Sequence, residues 1–218
     1  MKTRTHFRLL GLSNCLLLIT FGAAAASSSS ADALALRQRA IAEVTRLGGK
    51  FELDETRPDL PLNEKRIVKI DLHGTKITDA DLAFIENLTE LRALDLRLTQ
   101  ITDVGVARLR KLKNLQTLNL FRTQVGDAGL RHLQKLRRLE TLLIGGTKVT
   151  DAGLINLRQF KKLRKLSLFQ TRVSDGGISE LKRLTSLETL LIGGSKITDE
   201  GTKALKVALP RLSFSETT

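Results

Sequence analysis

The sequence predicts an α/β fold: a right-handed, curved solenoid of six 24-residue strand–turn–helix coils, closed at its N-terminal end by a helix and a strand. Three observations predict it. The stretch LRALDLRLTQITDVGVARLRKLKN, which begins at Leu91, recurs in steps of 24 from Leu115, Leu139, Leu163 and Leu187, and a looser copy precedes it from Ile67. The copies fill residues 67–210 with no insertion. Within each copy the apolar period changes: residues alternate at positions 4 and 6, as in a strand with one buried face, then recur at positions 16, 19 and 22, as along a helix. One such unit cannot bury its apolar side alone. A stack can, with strands inside the curve and helices outside.

Residues 1–26 read as an export signal. Lys2, Arg4 and Arg8 form a basic start, an apolar run follows, and Ala23 to Ala26 offer a small-residue cleavage site. The expected location is therefore the periplasm, cell envelope or exterior, or a membrane anchor if the segment stays uncleaved. Cys15 lies inside this segment, so cleavage removes the chain's single thiol.

Residues 27–66 form a spacer, a cap and a linker loop. An amphipathic helix is expected over 31–47, with Leu34, Ile41, Val44 and Leu47 on its apolar side and Gly48-Gly49 as its stop. A strand over 51–53 follows, then a loop containing Pro58 and Pro61. Helix and strand together would cover the open end of the stack. At the far end, residues 211–218 supply a partial seventh strand and a tail.

Within the coils, position 9 holds Thr75, Thr99, Thr123, Thr147, Thr171 and Ser195, small hydroxyls expected to satisfy turn amides from one coil to the next. Position 13 is Asp in every copy: Asp79, Asp103, Asp127, Asp151, Asp175 and Asp199. With Thr or Ser before it in every copy but the third, where Gly126 stands, each Asp sits where a helix begins, and either residue of the pair is expected to cap free N–H groups there. Calcium binding is the weaker reading, since single carboxylates one coil apart supply too few oxygens. Glycine at position 15 suggests close approach of coils; Asp81 breaks that pattern in the first.

The LxxLxLxxT pattern followed by xITDAGL resembles the leucine-rich repeat family. The TDAGL helix start is similar to the short-helix variety of F-box leucine-rich proteins and of exported bacterial repeat proteins of planctomycete type. The resemblance covers residues 67–210, about two thirds of the chain, and departs from the family's usual Asn at position 9. It implies protein–protein recognition through the inner strand face, with no catalysis and no cofactor.

On that inner face the coils alternate. NLFRTQV and SLFQTRV occupy coils three and five; LLIGGTK and LLIGGSK occupy four and six. Phe121 and Phe169 stand at positions expected to face water, beside Leu143 and Leu191, and Arg97 and Arg122 accompany them. Such residues are typical binding anchors; the alternative is that the two rings fold over Gly145-Gly146 and pack as structure. These six residues are the candidate contacts for a protein partner.

The full chain carries a formal charge of +13, and removing residues 1–26 takes away three cations and no acid. The excess gathers on the outer helices at Arg110, Lys111, Arg131, Lys135, Arg137, Arg138, Arg158, Lys161 and Lys162. This convex ridge is the second candidate surface, for a polyanion such as an envelope polymer or an anionic membrane; a solvated helix face is the plain alternative. With no Tyr or Trp to stack on bases, specific nucleic-acid binding is not expected. A third reading, an F-box-type adaptor serving ubiquitin ligation, conflicts with the export-like start.

Nothing in the pattern suggests an enzyme. His6, His73 and His132 fall in the export segment, the inner face and an outer helix, and no phosphate loop or nucleophile elbow is present. Asp71, Asp95 and His73 lie together on an open sheet, where water is not excluded.

Overall fold

The computed structural model describes residues 28–61 and 64–215. The export-like segment and the last three residues lie outside the described part. Among the described residues, eight strands form one sheet in chain order. They are β1 (Lys50–Leu53), β2 (Ile67–Asp71), β3 (Ala93–Asp95), β4 (Thr117–Asn119), β5 (Thr141–Leu143), β6 (Lys165–Ser167), β7 (Thr189–Leu191) and β8 (Ser213–Ser215). From β2 onward every pair is parallel, and Leu94, Leu118, Leu142, Leu166 and Leu190 stack in exact 24-residue register. Each of these leucines is at most 1% exposed, so the alternating pattern does mark one buried face.

The chain returns from strand to strand through short helices. The spacing of three between positions 16, 19 and 22 fits a 3-10 helix better than an α-helix, since residues three apart eclipse one another in the former. Coils one and four return through 3-10 helices alone, Asp81–Phe84 and Asp151–Gln159. The second coil has an α-helix, Asp103–Arg108, tightening into a 3-10 turn; the third has Asp127–Leu133. Ile85, Leu109, Leu133, Leu157, Leu181 and Leu205, all at position 19, are buried to within 1% of completely.

The sixth coil runs one residue long. Leu209 rather than Ala208 is buried, and Leu212 N–H donates to the Leu209 carbonyl as Leu187 N–H does to that of Leu184. This shift buries Leu209 at the end of the last helix. β8 then adds the expected partial strand.

At the other end α1 (Ser28–Arg46) begins earlier than its sequence pattern and buries Ala40 and Val44 completely. β1 pairs with β2 antiparallel, Phe51 opposite Ile70, and covers the N-terminal strand edge.

One expectation about side-chain roles is corrected, and another is narrowed to one of its two candidates. The position 9 hydroxyls do not serve the next coil; the five threonines each donate to the carbonyl three residues earlier in their own coil, as Thr99 does to Leu96 at 2.6 Å and Thr123 to Leu120 at 2.7 Å, while Ser195 accepts the Ile197 N–H. They close the turn that ends the strand. The position 13 aspartates, conversely, do not cap their own helices. Asp79, Asp127, Asp151 and Asp175 accept the backbone N–H and the hydroxyl of Thr102, Thr150, Ser174 and Thr198, each one coil ahead. The hydroxyl residues do the local capping: Thr102, Thr150, Ser174 and Thr198 accept N–H groups from their own first helical turns.

This ladder explains the glycines at position 15. A Cβ at Gly105, Gly153 or Gly201 would overlap the carboxylate of the preceding coil's aspartate. It also explains why the first coil departs. No coil precedes it, so there is no carboxylate to avoid, and Asp81 fills the space. Asp81 accepts both the N–H and the hydroxyl of Thr78, at 2.8 and 2.7 Å, which is the pair of bonds a preceding coil would have supplied.

Candidate functional site

The inner strand face is set out by the alternation of each strand. Positions 5 and 7 point away from the core, and position 8 turns the chain out of the sheet. That turn needs a left-handed backbone at every coil: φ is 65° at Gly74, 66° at Gly146 and 70° at Gly194. The same conformation holds Leu98 at 58°, Arg122 at 53° and Gln170 at 52°, where an L side chain is strained.

The 48-residue alternation in the sequence is a packing arrangement. Phe121 and Phe169, two coils apart, lean toward each other over Gly145; their ring centroids are 6.3 Å apart with the planes at 42°. A Cβ on Gly145 would come within 3.0 Å of the Phe121 ring and of the Phe169 carbonyl. The Arg122 stem lies across Gly146 and that of Gln170 across Gly194, at the distances where a Cβ would intrude. Large residues in coils three and five thus cover bare backbone in coils four and six. The Arg122 guanidinium carbon sits 5.3 Å from the Phe121 ring centroid, a cation–π contact.

The two rings therefore do pack on the protein, yet both remain partly exposed. The structure brings Phe121, Arg122 and Phe169 together. Leu143 is half-buried between the phenylalanine coils, while Leu191 is only 4% exposed and offers little to a partner. Arg97 stands apart, two coils before Gly145, and its Nε lies 3.4 Å from Asp95 Oδ2.

Position 5 has a role not read from the sequence. Asp71, Asp95 and Asn119 each accept the backbone N–H two residues on, at His73, Arg97 and Phe121, at 3.0 to 3.1 Å. These short polar side chains hold the ends of the strands, and Asn119 sets the backbone from which Phe121 projects. The signal was the spacing of two in Asp-x-His, Asp-x-Arg and Asn-x-Phe. Leu98 was also passed over; it is half-exposed in its left-handed turn, one coil before Arg122.

Asp71 and His73 form a close pair, Nδ1 to Oδ1 2.7 Å. Burial works against the Asp71 charge, but the two bonds from His73 outweigh it and hold the carboxyl below its ordinary range. Among the described residues no group of three or more His, Cys, Asp or Glu side chains is placed to hold a metal ion.

On the outside, Arg110, Lys111, Arg131, Lys135, Arg137, Arg138, Lys161 and Lys162 are exposed. Arg158 is less free: its guanidinium makes two bonds of 2.5 Å to Glu180, which raise its pKa and lower that of the carboxylate. Arg138 donates to Asn114 Oδ1 at 2.6 Å. Two shallow basic grooves lie along this side, one with Arg110, Lys111 and Lys135, the other with Lys161 and Lys162.

A family model described as "Leucine-rich repeat region" matches residues 62–214. No curated protein matches the chain significantly in sequence. Among solved structures, an internalin of Listeria monocytogenes aligns with TM-score 0.50 and 23% identity over 67% of this chain and 46% of its own. A leucine-rich repeat protein of Leptospira interrogans aligns with TM-score 0.55 and 20% identity over 68% and 36%. The chain thus matches less than half the length of either, and at these identities the likeness is one of fold.

Proposed function

The chain belongs to the leucine-rich repeat family, and from that premise we propose that it is a non-catalytic scaffold that recognises a partner protein through its inner strand face. The observation that supports this most is the partly exposed Phe121–Phe169 pair over Gly145, with Arg122 at its edge. Large apolar surface beside an arginine is the composition of interface centres. Leu143 extends the apolar patch and Leu98 lies one coil to its side. Residues buried elsewhere on this face, such as Leu191, support the surface rather than contact the partner. The internalin named above is a likeness of fold and lends no partner. No described helix is long and apolar enough to cross a membrane, and the export reading rests on residues 1–26 alone.

The test is capture from envelope and secreted fractions of the source cells on immobilised full-length protein, beside the Phe121→Ser/Phe169→Ser variant. A protein retained by the wild type at low and moderate salt and lost by the variant supports the inner face. Equal retention by both, at low salt only, sinks that reading and favours a polyanion on the outer ridge, where Arg110, Lys111, Lys135, Lys161 and Lys162 line the two grooves.

A further inference from the structure

Charge on the inner face is sorted along the axis of the stack. From positions 3 to 11, coils three to six contain no Asp or Glu, but they hold Arg122, Lys148, Lys165, Arg172 and Lys196. The acids of this face, Asp71 and Asp95, belong to coils one and two, where Asp71 is bonded to His73 and Asp95 is paired with Arg97. Lys148, Arg172 and Lys196 share position 10, next to the left-handed turn. Their backbone N–H groups donate to the Val125, Val149 and Val173 carbonyls of the preceding coils, so the three rise in register, one coil apart. All three are exposed, and their side chains have no hydrogen-bond or ion-pair partner among the described residues.

This row lies three positions past the aromatic position of the repeat, on the turn that follows each strand. Like charges stacked at coil spacing repel one another and contribute nothing to the fold. The nearest acids in sequence and register, Asp127, Asp151 and Asp175, are each engaged with the backbone N–H and hydroxyl two residues past a cation of the row, and the row belongs to the coils that carry the Phe121–Phe169 pair. From this placement we infer that the partner presents an acidic protein segment with an aromatic or leucine side chain. The segment crosses coils three to six, its carboxylates against Arg122, Lys148, Arg172 and Lys196 and its apolar residue against Phe121 and Phe169. The inference rests on the protein-binding reading above and adds the chemistry of the partner. Protein is favoured over an anionic polymer because Arg122 borders an apolar surface that a purely charged chain cannot use.

Phage-displayed random dodecapeptides, panned on the full-length protein at moderate salt, read that chemistry directly. Enriched peptides should be net acidic and carry Phe, Tyr, Trp or Leu. As fluorescein conjugates they should bind the Lys148→Glu/Arg172→Glu/Lys196→Glu variant about tenfold more weakly or worse, from three exposed charge contacts. The Gln versions at the same sites should give a smaller loss in the same direction. An outer-ridge control, Arg137→Glu/Lys161→Glu, should change affinity by less than about twofold. Enrichment without acidic excess, no enrichment, or an equal loss in the ridge control overturns the inference. So does dextran sulfate binding as tightly as the peptides with the same dependence on the three cations, which assigns the row to a polymer. Loss with the charge variants but not with Phe121→Ser/Phe169→Ser overturns both the aromatic site and this inference, leaving only a charged contact on the cation row. The reverse pattern keeps the aromatic site and removes this inference.

Discussion

The carboxylate of Asp127 accepts the backbone N–H of Thr150 at 2.8 Å and its hydroxyl at 2.7 Å, across the boundary between two coils. Gly153 lies beneath the same carboxylate. Asp127→Ala leaves a turn N–H without its partner and should cost about 1–3 kcal/mol. Gly153→Ala would stabilise an ordinary helix by about 1 kcal/mol; here the added methyl meets Asp127, and the change should instead destabilise by about 1–3 kcal/mol. Urea unfolding of the two single variants and the double variant measures the coupling. The double variant should lose less than the sum, because removing the carboxylate makes room for the methyl.

Gly126 is the one position 12 residue without a hydroxyl. Its backbone is extended, φ −124° and ψ −159°, and a Cβ there would meet Asp103 and Lys148 only at ordinary contact distances of 3.6 and 3.8 Å. Gly126→Thr should therefore supply the missing cap and raise stability by about 0.5–1.5 kcal/mol. Thermal unfolding checks this, and a lower midpoint than wild type would refute it.

Leu98 is half-exposed at φ 58°, where the first, fourth and sixth coils use glycine. Replacing it by glycine relieves backbone strain of about 1–2 kcal/mol, offset in part by the entropy of an added glycine. Leu98→Gly should be more stable than wild type by up to about 1 kcal/mol. If Leu98 belongs to the recognition surface, the same variant binds acidic peptides more weakly. Denaturation and peptide titration of one sample give both answers.

Hydrogen bonds from the Thr198 hydroxyl and then its N–H hold the Asp175 carboxyl below its ordinary range, against a smaller opposing effect of burial. A carboxyl depressed in the folded state stabilises at pH above its ordinary value, and that contribution is lost as the pH falls through the depressed value. The stability difference between wild type and Asp175→Asn should be constant near neutrality and shrink in acid, below the ordinary Asp pKa of about 3.9. A difference that grows as the pH falls would contradict the ladder.

The repeating core was legible because burial is periodic. Leu94, Leu118, Leu142, Leu166 and Leu190 follow from alternation alone, and their parallel register follows from the 24-residue step. Partnership of the polar residues was not legible in the same way. A single repeat shows Thr102 and Asp103 side by side, which suggests one cap for one helix. That the carboxylate belongs to the next coil depends on how neighbouring coils are offset, a distance no single repeat contains. The departures held the information: Asp81 replaces glycine in the one coil with no predecessor. The alternation of Phe121 and Phe169 with Gly145 was seen, but whether the rings pack or protrude depends on a lean of two side chains, and they do both.

The ladder also gives the stack a direction. Each coil from the second onward takes the bonds at its helix start from the one before it, whereas the first provides its own through Asp81. In the ladder, removing the final coil would orphan only the Asp175 carboxylate, which water can solvate, although the sheet would also lose the Leu191 and Gly193 carbonyls that accept from Leu168 and Gln170. Removing the first would leave the Thr102 N–H unclaimed and Gly105 facing a gap where Asp79 had been. A nascent chain meets these requirements in the order of synthesis, since every coil emerges after the carboxylate that receives it. New coils are therefore accommodated more readily after residue 208 than before residue 67.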